Sequence, residues 1–153
     1  MNLKELVKKD TATLTADVEF RHGLVITLRY VSRAEAGRIS RESLVMRYDE
    51  KLKTRSPQLD GKKFAEAFCE AAVVGWKGAT VATLAKLMPI EIGSLSKEQL
   101  AAEVPFTQEN MATLLEHTYE LDGFLQEQSL DINTFNSAKG DEEKNSQASP
   151  SGN

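Results

Sequence analysis

Between Asp17 and Val31 apolar residues recur at every second position: Val18 and Phe20, then Leu24, Ile26, Leu28 and Tyr30. A period of two gathers one set of side chains on one face of an extended chain. His22-Gly23 falls between the two runs, where a tight turn needs residues that tolerate positive φ. The pattern predicts a β-hairpin over 17–31 with one apolar face. A hairpin alone is marginal in water, so helices or another chain must cover that face.

The other apolar positions follow helical spacing. Leu3, Leu6 and Val7 predict a short amphipathic turn at the start. Ser32 and Glu35 have the spacing of a capping box, hydroxyl to a free backbone N–H and carboxylate back to the cap residue. They open a helix predicted over 33–53, ended by the Thr54–Gln58 stretch with Pro57. Asp60 caps a helix over 61–75, whose Phe64, Ala67, Phe68, Ala71 and Gly75 share a face. Val81, Leu84, Leu87 and Met88 predict a helix over 80–88, stopped by Pro89. Ser96 caps a turn through Leu100, and Thr107 caps a last helical region over 107–128, with Gly123 as a candidate break. Beyond Phe135 the composition falls to small, polar and charged residues. Such a segment lacks the apolar area that offsets ordering entropy, so 136–153 is read as disordered. The expected fold is α+β: a mostly α-helical single domain over 1–135 with an N-terminal β-hairpin and a disordered C-terminal tail.

Little here calls for catalysis. The chain has 153 residues and a formal net charge of -4, so no global basic field draws it to nucleic acid. The single cysteine, Cys69, sits among Ala67, Phe68, Ala71 and Ala72 and reads as a small core residue. One cysteine makes no intramolecular disulfide and no multi-thiolate metal site. His22 and His117 belong to no metal-ligand spacing, and no phosphate-binding glycine loop or nucleophile elbow is present. No catalytic residue, cofactor or metal is therefore expected. Met1 to Asp10 has lysines but no apolar run of a signal peptide, and no segment has the length of a membrane span. The basic stretch 33–55, with Arg38, Arg41, Arg47, Lys51, Lys53 and Arg55, offers a rival reading as a small nucleic-acid-binding regulator. A solvated helix face supported by Glu35, Glu42, Asp49 and Glu50 explains it better, as does a basic surface meeting an acidic partner or the chain's own Asp141–Glu143. Trp76, between Gly75 and Lys77, reads as a core anchor before an interaction residue.

Four stretches carry a family resemblance: Leu24-Val-Ile-Thr-Leu-Arg-Tyr-Val-Ser32, Ala71-Ala-Val-Val-Gly-Trp-Lys-Gly78, Val104-Pro-Phe-Thr-Gln-Glu-Asn110 and Leu114-Leu-Glu-His-Thr-Tyr-Glu-Leu121. In this order and spacing, over about residues 15 to 125, the chain resembles the tail assembly chaperones of long-tailed bacteriophages and prophages, in their short form. The resemblance implies a non-enzymatic protein that coats the tape measure protein before tail-tube subunits polymerise around it. It also implies a place in the bacterial host cytoplasm, self-association along the client and absence from the mature virion. In such systems a longer form recruits tail tube subunits. A surface for varied amphipathic helices needs exposed apolar side chains. The expected contacts are Met111, Leu115, Tyr119 and Phe124, with Leu84 and Met88 behind them. A generic protein-interaction adaptor is the remaining alternative.

Overall fold

The computed structural model describes residues 1–136, so the expectation of disorder falls outside the described residues except at Asn136. The chain runs α1 (Leu3–Leu6), β1 (Thr15–Glu19), β2 (Val25–Arg29), α2 (Arg33–Glu42), β3 (Leu44–Asp49), β4 (Thr54–Leu59), α3 (Gly61–Ala72), β5 (Val73–Lys77), α4 (Val81–Leu84), α5 (Lys97–Ala101), α6 (Gln108–His117) and α7 (Leu121–Leu130). Residues 132–136 add one more helical turn. The class is α+β, but helix covers less than half of the chain, so "mostly α-helical" gives way to a mixed fold.

The alternating stretch forms its hairpin. β1 pairs antiparallel with β2 from Thr15↔Arg29 to Glu19↔Val25. His22 and Gly23 take φ 54 and 82, the pair of positive values that a primed turn requires. Leu24, Ile26 and Leu28 are fully buried, so the period-two face is the core face. β5 adds to the other side of β2 in the order β1-β2-β5. The main core lies between this sheet and the helices, with Cys69, Met111, Leu114, Leu121, Leu125 and Phe135 packed on it. A second cluster joins Val31, Ile39, Phe68 and Ala72, with Ala36, Phe64, Ala67 and Ala71 against it. α3 thus serves both clusters.

The four predicted helices all differ in extent from what their spacing implied. The helix expected over 33–53 stops at Glu42, where the buried Ser43 hydroxyl donates to the Ile39 carbonyl. β3 and β4 follow as a separate antiparallel hairpin, from Leu44↔Leu59 to Asp49↔Thr54. Its turn is held by the Asp49 carboxylate, which accepts from the N–H groups of Lys51 and Leu52, and by Lys53 at φ 51. The helix expected over 61–75 ends at Ala72; β-branched Val73 and Val74 continue as β5. The region expected over 107–128 is two helices, and the break is at Thr118–Glu120, not at Gly123, which lies inside α7. The helix over 80–88 reduces to α4 plus turns as far as Met88.

The caps fall where the sequence puts them. Ser32, Asp60, Ser96 and Thr107 each accept from a backbone N–H three residues on. Each such cap stabilises its helix by about 1 kcal/mol. The capping box is complete at Ser96 and Gln99 but not at Ser32. There Glu35 turns to Arg29 instead, with Nη2···Oε1 at 2.6 Å. Arg29 also donates to the Ala71 carbonyl, which ties β2 to the end of α3.

Candidate functional site

Where α6 ends, the chain turns sharply. Thr118 is buried, Tyr119 points into solvent at 82% exposure, and Glu120 adopts φ 65. A left-handed Glu is uncommon, and Glu120 is held by an ion pair to Arg21 at 2.5 Å. Arg21 belongs to the β1–β2 turn and also lies over the Phe20 ring, 4.8 Å from its centroid. Phe20 in turn meets Phe124 of α7 edge-on at 5.0 Å. The hairpin tip and the α6–α7 corner are thereby in contact, chiefly through Phe20 and Phe124, since the Arg21–Glu120 pair is exposed.

Beside this corner lies an open groove of about 1340 Å³, walled by the start of α3, the end of α6, the start of α7 and the hairpin tip. A cylinder ~10 Å across and ~16 Å long, about three turns of helix, has a similar volume. Its apolar lining comes from Phe20, Ala65, Ala112, Leu115, Tyr119 and Phe124. Its charged lining is acidic: Glu66, Glu116, Glu120, Asp122 and Glu127 against Arg21 and Lys62. The two cations are taken, Arg21 by Glu120 and Lys62 by Glu66 at 3.9 Å. Among the described residues Glu116, Asp122 and Glu127 make no ion pair. A recess of about 340 Å³ adjoins the groove between α3 and α6, and Glu70 and Glu109 add to its negative character. At the groove wall the Thr118 hydroxyl is buried without a hydrogen-bond partner among the described residues.

The six expected contact residues divide. Leu115, Tyr119 and Phe124 come together in the groove. Met111 and Leu84 are core residues, at 1% and 6% exposure, and do not face a partner. Helical spacing turns Met111, Leu114 and Thr118 inward and leaves Leu115 at the margin. Met88 is partly buried against the main core and takes no part in the groove. Phe20, Arg21 and the carboxylates were not singled out in the sequence. Phe20 reads there as a hairpin face residue, and nothing local shows that the turn meets a helix about 100 positions later.

The other features of the sequence find structural partners. Trp76 donates from Nε1 to the Val104 carbonyl at 2.9 Å and meets Phe106 edge-on at 5.3 Å. It therefore anchors the segment leading into α6. The basic stretch 33–55 is no continuous helix but α2 followed by the β3–β4 hairpin, with Arg38 paired to Glu42 and Arg47 near Asp60. Among the described residues no three His, Cys, Asp or Glu side chains gather as a metal set. No helix among them is long and apolar enough to cross a membrane.

Cys69 lies beneath the adjoining recess, 4% exposed. Burial, with the nearby Glu70 charge adding to it, pushes its thiol from 9.0 up to about 12. Burial favours the neutral thiol, so this stabilisation is present below pH 9.0 and is lost as pH rises towards about 12. At neutral pH a thiol-reactive dye should modify Cys69 only as fast as the native state opens. Labelling should become immediate in denaturant; prompt labelling of the folded protein would contradict the buried placement.

No family model, curated protein or solved structure matches the chain.

Proposed function

We propose that this protein is a non-enzymatic assembly chaperone that binds a phage tape measure protein and keeps it soluble during tail assembly in the bacterial cytoplasm. The observation that supports this reading best is the groove itself, in which Leu115, Tyr119 and Phe124 converge around an opening the size of a helical segment. Tyrosine is enriched at binding hot spots, and Tyr119, 82% exposed, stands beside the half-buried Leu115 and Phe124 where an occupant would desolvate it. The acidic lining selects among amphipathic helices. It favours a client helix whose apolar stripe is flanked by lysine or arginine and disfavours an acidic one. The four sequence stretches that resemble the chaperone family support the same reading from a separate direction, because two of them supply the groove's Tyr119 and neighbours and the Trp76 anchor.

The reading is tested with synthetic peptides that cover the amphipathic segments of a tape measure protein, titrated against the full chain by fluorescence anisotropy. Tyr119→Ala combined with Leu115→Ala should weaken the best peptide by roughly tenfold or more, about 1.4 kcal/mol and upward. Both side chains are partly or largely exposed, so the fold should persist and can be checked by melting. Equal affinity for wild type and variant would remove the groove from the interaction.

A further inference from the structure

The β3–β4 hairpin shows the wrong side to water. Its register sets Leu44 opposite Leu59, Met46 opposite Pro57 and Tyr48 opposite Arg55, so these six side chains share one face. That face is exposed, with Leu44 at 42%, Met46 at 56%, Tyr48 at 61% and Leu59 at 48%. The half-buried positions, Val45, Asp49, Ser56 and Gln58, all lie on the opposite, more polar face. A surface hairpin normally turns its apolar face to the core. Here the order is reversed.

The β4 edge is blunted against an added strand. The Asp60 N–H bonds to the Ser43 carbonyl at 3.0 Å, which fixes the alternation of the ladder. Met46 and Pro57 then form a non-hydrogen-bonded pair, and the Pro57 nitrogen faces the outer edge of β4. Proline there leaves the ladder intact and removes an outward donor.

We propose that the occupant of the apolar face is the same face of a second copy, packed antiparallel across a two-fold axis near Met46. Two observations select a second copy. With Leu44, Met46, Tyr48 and Leu59 between 42% and 61% exposed, this face offers on the order of 500 Å² per chain, so two such faces fully covered reach about 1,000 Å², the lower limit of a specific interface. Charge agrees with the antiparallel arrangement as well. It carries the turn lysines, Lys51 and Lys53, which make no ion pair among the described residues, over the base of the partner hairpin, where Glu42 and Asp60, each beside one arginine of its own chain, accept a second cation. From Glu42 to Asp60 the hairpin and its base balance, Arg47, Lys51, Lys53 and Arg55 against Glu42, Asp49, Glu50 and Asp60, so two copies meet without net repulsion, whereas the acidic lining suited to a basic client helix is in the groove. Client binding and self-association therefore use separate surfaces, and the dimer does not depend on the groove.

Sedimentation velocity across a concentration series tests this. Wild type should show a reversible dimer, and Met46→Glu with Tyr48→Glu should weaken it by roughly a hundredfold or more, since both charges enter the apolar centre. Because both sites are solvent-exposed in the single chain, circular dichroism should be unchanged, and Tm should match that of wild type diluted below its dimer range. A second variant, Met46→Cys, should form a disulfide-linked dimer under oxidised glutathione much faster than Glu98→Cys on α5, with buried Cys69 silent in both. A wild type that stays monomeric at its highest soluble concentration overturns the proposal. So does a dimer that survives the double glutamate variant, or crosslinking no faster at position 46 than at position 98.

Discussion

Phe68→Ala should destabilise the fold by about 3–5 kcal/mol, a large share of the 5–15 kcal/mol typical of a domain. Phe68 is 1% exposed at the centre of the smaller core cluster, between Val31, Ile39 and Ala72. Its ring lies 5.8 Å from that of Phe64. Truncation removes the largest fully buried side chain of the cluster between α2 and α3 and leaves a void that neighbours packed on both helices fill poorly. The same loss loosens the base of the β3–β4 hairpin, since Ser43 and Asp60 are anchored where these helices meet. Urea unfolding should show a lower midpoint with the slope unchanged. A loss below about 1 kcal/mol would mean that the second cluster contributes little to the fold.

Gly78→Ala should cost roughly 2–4 kcal/mol, and Gly23→Ala only about 1 kcal/mol, although both glycines have positive φ. The difference is space. A Cβ at Gly78 would stand 2.5 Å from the Gly23 carbonyl oxygen, a backbone atom that cannot rotate away. A Cβ at Gly23 meets nothing within 4 Å. The residue after β5 is therefore pressed against the β1–β2 turn, which also carries Arg21 to the groove. At about 2–4 °C per kcal/mol, the two variants should separate clearly in a melting experiment. Equal Tm values would show that the close approach relaxes without strain.

The parts of the fold that were legible in the sequence are those set by neighbours in the chain. The β1–β2 hairpin follows from period-two alternation around His22-Gly23, and the helix starts follow from Ser32, Asp60, Ser96 and Thr107. The ends of helices were not legible in the same way. Leu44, Met46 and Tyr48 alternate with Val45, Arg47 and Asp49, but Arg, Leu, Met, Glu and Lys are good helix formers and mask that period. Val73-Val74 is a β-branched pair, yet only the free edge of β2 decides that it pairs as a strand. The corner at Thr118–Glu120 contains no glycine or proline to announce it; burial of Thr118 and Leu121 on either side fixes it, and the exposed pair to Arg21, remote in sequence, adds little. For the groove, the apolar residues at the α6–α7 junction were recognisable, whereas the split between inward Met111 and outward Leu115 depended on how α6 is rotated on the sheet.

The most direct measurement of the groove's role is co-expression of this chain with a tape measure protein, comparing wild type with Tyr119→Ala/Leu115→Ala. With wild type the client should be soluble and co-purify at both low and high salt, because apolar contact dominates and only the acidic lining is screened. With the groove variant the client should return to the insoluble fraction. A client that remains insoluble beside wild type, or equally soluble beside the variant, would contradict the assignment of this groove as a chaperone site.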